Sequence, residues 1–416
     1  MIIKKIINHS LFQNTFFLSL VKALDLILPL MTIPYLTRTL NVDEFGSLIV
    51  CMAAYSMANI LTDFGFGLSA PYDISKNKHD KNYINSYLTS IFTLKLIFIF
   101  TATIILYIYF NLDHNLSGVD EYTIFLIFGI VFSLAYQAQW FFLGIEKMKS
   151  IAILASLGKL SYFAFIFIIV PHYKTVNSVL LCSFISNFIP FVFYMKFIHA
   201  EGYRITRIEL NNLVKIFYSS LSFFISRLAV GVSTTANGVI IGTILGVNAA
   251  GLYGAAEKIY NAGISLVMPI SNVFYPYMAR TKNYKLLIKS IIVLALLAIV
   301  GCIVISNISS WFFVAFFGPE YKESAKIFDL FLILIPINVI SIFLGYSAFA
   351  IVNKPEIANY TVIFSAVVYI ITFFLLYITN SISIFNIMIM IISIDIFTVL
   401  TRSFLFYKEI KKIKKD

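Results

Sequence analysis

The sequence predicts an all-α polytopic membrane protein with about twelve transmembrane helices in two parallel six-helix lobes, residues 1–205 and 206–416. Three observations support this fold class. The 416 residues are 60% hydrophobic and only 12% charged, whereas about a quarter of the residues in an ordinary soluble domain are charged. The apolar runs continue over about 20 residues, the length that an α-helix needs to cross a bilayer. The second half of the chain also weakly repeats the first.

Twelve apolar runs are long enough to be membrane spans. Most of them lack the strict alternation of polar and apolar residues that would indicate barrel strands, so helices are the expected spanning element. The predicted spans are residues 14–37, 45–68, 87–110, 122–144, 151–171, 176–198, 214–240, 251–276, 286–309, 325–349, 357–378 and 383–406. These spans leave no room for a soluble domain.

The basic residues predict the orientation of the chain. Most of the 31 Lys and Arg residues lie in one set of alternate segments, which includes the N-terminus, residues 73–81 and the tail from Lys408. The other set, which begins at Arg38, holds few of them. Because cytoplasmic loops carry the excess of Lys and Arg, both termini are predicted to be cytoplasmic. The same distribution assigns the net charge of +11 to membrane topology and not to nucleic-acid binding.

An internal repeat supports the two-lobe arrangement. The stretch "LNVDEFG" at 40–46 lines up with "LGVNAAG" at 245–251. At nearly the same shift, the end of the fourth helix, "LGIEKMK" at 143–149, coincides with the end of the tenth, "AIVNKPE" at 350–356. Because an even number of helices separates the copies, both lobes have the same orientation, and a substrate path is expected between them.

Ionised side chains inside the spans predict a polar site, because each costs about 2.5 to 3.5 kcal/mol on insertion scales. Lys22 and Asp25 lie one turn apart in the first span, and Arg227, which keeps its proton, lies near mid-bilayer. One interpretation is structural, with Arg227 paired permanently to Glu257 or Asp25. In the other interpretation, Lys22, Arg227 and Lys258 line a central cavity and bind an anionic substrate group such as a phosphate.

Three carboxylates are candidates for coupling transport to H⁺ or Na⁺. These are Asp25, Asp63 and Glu257, and Asn261 shares a helix face with Glu257 at a spacing of four residues. No other cofactor and no metal site is predicted.

Other polar residues in the spans have weaker interpretations. Lys95 and Lys159 stand among apolar neighbours near span edges, where long side chains commonly reach to the interface. Asp395 and Arg402, seven residues apart, are a candidate pair with either a structural or a functional role. The seventh helix is expected to have one wet face, formed by Ser219, Ser222, Ser226, Ser233 and Asn237.

The motifs that are missing from the sequence argue against an enzyme. There is no GxxxxGK[ST] phosphate loop, no HExxH and no GxSxG in the chain, and each of these would indicate a defined chemistry. The loops predicted on the non-cytoplasmic side are too short to hold a catalytic site. The sequence therefore predicts a transporter with no catalytic residues.

Several stretches resemble a known family. They are "IPYLTRTLNVDEFGSL" (33–48), "DFGFGLSAPYDISKNKHDK" (63–81), "QWFFLGIEKMKSIA" (139–152) and "NGVIIGTILGVNAAGLYGAAEKI" (237–259). Together they are similar to Wzx-type O-antigen flippases, in the polysaccharide transporter branch of the MATE-like (MOP) superfamily. The resemblance is clearest over the first 150 residues and extends to the whole chain through length, helix count and repeat.

This resemblance implies a bacterial inner-membrane carrier that moves an undecaprenyl-diphosphate-linked oligosaccharide from the cytoplasmic to the periplasmic leaflet by alternating access. An ion gradient would drive the cycle, and a polymerase and a chain-length regulator of the same pathway would be its candidate partners. By position, Asp63, Arg227, Glu257 and Lys258 fit the roles of charged cavity residues, and Lys22 and Asp25 are further candidates. The stretch "APYDISK" departs from the pattern of many relatives, which have a basic residue near that helix end.

Three alternatives remain open from the sequence. A MATE-type small-molecule exporter would share the twelve helices, but such carriers handle mostly organic cations, for which the basic residues are unhelpful. Lipid II flippases usually have additional helices. An O-antigen polymerase or ligase, an enzyme of the same pathway, would need a large periplasmic loop that this chain lacks.

Overall fold

A computed structural model describes residues 10–112 and 118–413. These residues form helices joined by turns and short irregular segments, and they contain no strand. The seventeen α-helices are α1 Ser10–Thr39, α2 Val42–Asp63, α3 Phe66–Lys76, α4 Lys81–Leu112, α5 Glu121–Ala135, α6 Gln139–Gly144, α7 Met148–Ile169, α8 Val176–Ala200, α9 Leu210–Thr234, α10 Ala236–Leu245, α11 Val247–Ser265, α12 Met268–Thr281, α13 Tyr284–Phe317, α14 Lys322–Ile342, α15 Ala348–Ile351, α16 Glu356–Ile378 and α17 Ile384–Ile413. A 3₁₀ turn at Pro319–Tyr321 precedes α14, and a π-helical turn at Phe343–Ser347 follows it. The terminal basic residues Lys4, Lys5, Lys414 and Lys415 lie outside the described residues.

The predicted fold class is confirmed, and each predicted span coincides with helix. Within the described residues, ten helical segments are long and apolar enough to cross a membrane. Several predicted spans are interrupted, which the hydropathy pattern did not indicate: the second at residues 64–65, the fourth at 136–138, the seventh at 235 and the eighth at 266–267. Apolar composition is the same on both sides of each interruption, so it locates a span without showing where the helix breaks.

Local side-chain contacts fix where the helices begin. Asn41 caps α2 by accepting a hydrogen bond from the Glu44 N–H at 2.8 Å, and Glu44 accepts one from the Asn41 N–H. Asp120 caps α5 in the same way, accepting from the Thr123 N–H at 2.8 Å. Each contact satisfies a backbone donor that has no partner within its helix.

The chain divides into two compact units between Gly231 and Val232. This division lies later than the predicted lobe boundary at residue 205, so that α9 falls almost entirely in the first unit. The first unit has a core rich in aromatic side chains, including Phe66, Phe141 and Phe142. The second has its own core around Phe343 and Phe349.

The internal repeat is visible in the backbone of the two units. In the first unit, Glu146 is left-handed with φ 63°, and the Lys147 N–H bonds to the carbonyl five residues earlier at 2.8 Å. In the second unit, Asn353 has φ 57°, and the Lys354 N–H makes the equivalent bond at 2.9 Å. Both are helix-ending turns of the Schellman type, and they occupy the positions that the sequence repeat aligned.

The lysine that follows each of these turns also forms an equivalent ion pair. Lys147 pairs with Glu201 at the end of α8, and Lys354 pairs with Glu409 near the end of α17 at 2.6 Å. In each unit the pair therefore joins the turn to the C-terminal end of a later helix, α8 in the first unit and α17 in the second.

Candidate substrate site

The first feature of the site is a break between α2 and α3. Phe64 and Gly65 are left-handed, with φ 45° and 77°, so α2 ends at Asp63 and α3 begins at Phe66. Glycine suits residue 65 because the left-handed conformation is costly for other residues. It is also required sterically, since a Cβ at this position would lie 2.7 Å from the Cβ of Phe223 and 2.8 Å from the backbone nitrogen of Phe224. The break is therefore in direct contact with the backbone of α9.

Aromatic packing holds the break in place. The Phe64 side chain is buried and stacks on Phe98, Phe217 and Phe224, with ring centroids 4.4, 4.9 and 4.5 Å apart. Stacked rings at these distances contribute about 0.5–1.5 kcal/mol per pair beyond area burial. The backbone on the C-terminal side of Asp63 is thus fixed between α4 and α9.

One face of α9 lies along this break and presents Arg227 to Asp63. The Ser220 hydroxyl is 2.9 Å from that of Ser69 on α3. Two turns further along α9, Arg227 Nη1 donates to Asp63 Oδ2 at 2.6 Å. The pair lies over Gly67, where an added Cβ would be 3.2 Å from Asp63 Oδ1 and 3.3 Å from Arg227 Nη1. The absence of a side chain at residue 67 makes room for the two charged groups.

Asp63 was not among the partners considered for Arg227 from the sequence. The structural interpretation paired Arg227 with Glu257 or Asp25, and that choice of partner is wrong. The Arg227 side chain remains 47% exposed, compared with 19% for Asp63. The guanidinium therefore keeps donors available for a second anion, since it has five N–H groups.

A second cluster contains Lys22, Asp25 and Lys159. The predicted Lys22–Asp25 pair is present at 3.8 Å, with Lys22 78% exposed. The closer partner of Asp25 is Lys159 on α7, whose Nζ lies 2.5 Å from Asp25 Oδ1 and also donates to the Val21 carbonyl at 3.3 Å. The interpretation of Lys159 as an isolated residue near a span edge is wrong, because it lies in the middle of α7 and joins that helix to α1.

Lys95 is likewise not at an interface. It lies midway along α4, its side chain is buried, and its Nζ is 5.8 Å from the centroid of the Phe66 ring. Phe66 begins α3 directly after the break that follows Asp63, so Lys95 lies beside that break. Neither Lys95 nor Lys159 has a local sequence signal, since both are flanked by apolar residues and their partners are distant in the chain.

In the second unit, Glu257, Lys258 and Asn261 lie on α11 as predicted. The Tyr253 hydroxyl donates to Glu257 Oε1 at 3.4 Å, and Lys258 is half-buried beside it. Asn261, one turn further on, is exposed. Because they are four residues apart on α11, Glu257 and Asn261 lie on one face of that helix.

Asp395 and Arg402 do not bind one another directly. Asn338 donates to Asp395 at 2.8 Å. Arg402 is buried and donates to the Ser341 carbonyl at 2.7 Å and to the Thr361 hydroxyl at 2.9 Å. Because Ser341 lies two residues before the π-helical turn, Arg402 satisfies a carbonyl at a place where the regular helical hydrogen bonds are interrupted, which is a structural role.

The predicted wet face of the seventh helix is only partly correct. Asn237 is buried and accepts a hydrogen bond from the Tyr369 hydroxyl at 2.5 Å. It belongs to α10, beyond the interruption at Thr235, and its side chain contacts Tyr369 instead of water.

The two clusters of the first unit have the same composition of charge. Each contains one carboxylate and two basic groups, Asp25 with Lys22 and Lys159, and Asp63 with Arg227 and Lys95. Each cluster therefore has a formal net positive charge and an exposed basic group, Lys22 or Arg227. Such an arrangement favours an anionic ligand, and the planar guanidinium suits bidentate contact with phosphate oxygens.

The fold is that of the MATE-like (MOP superfamily) membrane transporters. A multidrug resistance MATE family transporter of the MOP superfamily, solved in an inward-facing conformation, superposes with a TM-score of 0.72 at 14% identity, covering 94% of this chain and 96% of that one. The lipid II flippase MurJ, in an inward closed conformation, gives a TM-score of 0.69 at 13% identity, covering 94% of this chain and 87% of that one.

The chain belongs to the polysaccharide biosynthesis protein family, whose model matches residues 11–282. A protein of Escherichia coli (strain K12) named "Putative O-antigen transporter" is 28% identical over 301 residues, covering 69% of this chain and 71% of its own. A protein of the same name from Shigella dysenteriae is 26% identical over 278 residues, covering 66% and 68%. The predicted family is confirmed, and the names of these relatives agree with the prediction of a transporter and not an enzyme.

Proposed function

We propose that this protein is a flippase that moves undecaprenyl-diphosphate-linked O-antigen repeat units from the cytoplasmic to the periplasmic leaflet of the bacterial inner membrane. In this proposal both termini are cytoplasmic, and an H⁺ or Na⁺ gradient drives alternating access. A polar glycan and a diphosphate do not cross hydrocarbon unaided, because each unsatisfied polar group there costs several kcal/mol. A net positive polar surface in the carrier lowers that barrier while the polyprenyl tail stays in lipid.

The observation that carries the proposal is the exposed Arg227 on α9. At about 1.5 Å per residue, Arg227 lies about 18 Å along the helix axis from Lys215, which is deep in the bilayer if Lys215 is near the membrane surface. A permanently charged group at that depth needs an anion. Asp63 supplies one in the structure, and the remaining donors of the guanidinium are open to the substrate's diphosphate.

Family membership and the names of the relatives support the same substrate class. The E. coli and Shigella proteins are named as O-antigen transporters, and one solved structure of the same fold is a lipid II flippase. The fold likewise fits a multidrug exporter, but two net positive clusters disfavour the organic cations that such carriers handle. The basic residues therefore support an anionic substrate over an organic cation.

The test is to find which leaflet holds the polyprenyl-linked repeat unit in a strain deleted for this gene. The proposal expects accumulation at the cytoplasmic face, loss of surface glycan, and restoration of both by the wild-type gene. A single repeat unit at the periplasmic face would contradict the proposal and indicate a polymerisation defect. Intact surface glycan with new drug sensitivity would also contradict it and would favour an exporter.

A further inference from the structure

Asp63 lies between two basic groups of different exposure. Arg227 is half exposed and bonds to Asp63 Oδ2 at 2.6 Å. Lys95 is 2% exposed, and among the described residues no carboxylate forms a direct ion pair with its Nζ. Its Nζ lies 5.8 Å from the centroid of the Phe66 ring, and Phe66 begins α3 directly after the break that follows Asp63. The structure therefore offers Asp63 one bonded partner and a second, buried partner close by.

The position of Asp63 in the chain suits a change of partner. It is the last residue of α2, and the left-handed Phe64 and Gly65 follow it. Because the Phe64 ring is stacked on three other rings, the backbone at the break is held in place. The carboxylate itself lies over Gly67, which has no side chain to confine it. A change of side-chain rotamer at Asp63 is thus possible without repacking the break.

We propose that Asp63 is a displaceable counter-ion, which neutralises Arg227 in the empty carrier and transfers to Lys95 when a diphosphate binds Arg227. The inference rests on the proposed function, since it takes the diphosphate of a lipid-linked substrate as the incoming anion. Two anions on one guanidinium repel each other, and a diphosphate carries more charge and more acceptor oxygens than a carboxylate. Lys95 makes the exchange favourable, because a buried ammonium gains most from a directly bonded anion.

In this arrangement Lys95 is a positioning residue that acts through Asp63 and does not touch the substrate. A static Asp63–Arg227 pair with an unrelated buried lysine would behave differently. In the static case, removing Lys95 changes diphosphate binding by the same factor whether Asp63 is present or not. In the exchange, the effect of Lys95 depends on Asp63, so a double-mutant cycle separates the two.

The experiment measures binding of inorganic diphosphate to the purified full chain in lipid nanodiscs at one fixed low ionic strength. The variants are Asp63→Asn, Lys95→Met, the double variant and Arg227→Ala. The control is Asp73→Asn, which removes a carboxylate outside both clusters, where Asp73 accepts a hydrogen bond from the Tyr87 hydroxyl at 3.0 Å. Asp63→Asn is expected to bind about tenfold more tightly, a factor equivalent to the loss of one modest ion pair. Asp73→Asn is expected to change the affinity less than about threefold.

Lys95→Met is expected to weaken binding about tenfold in the wild-type background and less than about threefold in the Asp63→Asn background. Unchanged or weaker binding by Asp63→Asn would overturn the inference, as would an equal effect of Lys95→Met in both backgrounds. If either result occurs while Arg227→Ala abolishes binding, the proposed phosphate site stands and only the exchange fails. If Arg227→Ala binds as the wild type does, the proposed site fails and the exchange fails with it.

Discussion

Substitution of Gly65 by alanine tests the packing that positions the Asp63–Arg227 pair. Gly65 has φ 77°, and an L-residue pays about 1–2 kcal/mol for the left-handed conformation. The added Cβ would also lie 2.7 Å from Phe223 Cβ and 2.8 Å from the Phe224 nitrogen. These two atoms are held by the backbone of α9 and cannot move aside as the end of a flexible side chain can. Overpacking against them costs about 1–3 kcal/mol. Gly65→Ala is therefore expected to destabilise the protein by about 2–5 kcal/mol.

Gly202 provides a matched control. It has φ 80° at the end of α8, and the nearest atom to an added Cβ is Lys81 Nζ at 3.3 Å, the end of a flexible side chain. Gly202→Ala should therefore cost only the conformational part, about 1–2 kcal/mol. The assay is the free energy of unfolding in mixed micelles titrated with SDS. Equal losses for the two variants would refute the close approach of α9 to the break.

Two further predictions concern contacts outside the site. Burial raises the pKa of Asp120, but hydrogen bonds from Thr123 and Asn177 outweigh it and hold that pKa below its usual value. The stability from these bonds is present above the unfolded pKa of about 3.9 and is lost as pH falls through the folded pKa. Asp120→Asn should therefore flatten the acid side of a plot of melting temperature against pH, and an unchanged plot would refute this. Lys354→Ala should lower the melting temperature, because it removes the ion pair with Glu409. Adding Glu409→Gln should lower it little further, since the pair is already lost. Additive losses would show that the two side chains act independently.

The sequence predicted the helices well because membrane spans depend on composition alone. A run of about 20 apolar residues has few options in a bilayer other than a helix. The repeat was also predictable, since the turns after α6 and α15 need the same left-handed residue followed by a lysine. The break at Phe64 and Gly65 was not predicted, although the two glycines of "FGFG" were a local signal for it. Whether these glycines break the helix depends on how closely α9 packs against them, and the local sequence does not show that contact.

The charged groups were predictable one by one, but their pairing was not. Asp63 and Arg227 were both identified as candidates, yet they are 164 residues apart in the chain, and no helical spacing relates them. Lys95 and Lys159 were interpreted as interfacial because their neighbours are apolar. Whether such a lysine reaches water or a buried carboxylate depends on which helices pack together, and that is a tertiary property.

The role of Arg227 in transport is tested by the rate at which the reconstituted Arg227→Ala variant moves a polyprenyl-diphosphate-linked oligosaccharide between leaflets. Lys215→Ala is the control, because it removes one positive charge from the same helix away from Asp63. We expect Arg227→Ala to lower the rate more than about tenfold and Lys215→Ala to leave it within that range. Arg227→Lys should retain part of the rate if charge alone is needed and lose it if bidentate contact is needed. Transport by Arg227→Ala at the wild-type rate would contradict the proposal that Arg227 binds the diphosphate of the substrate.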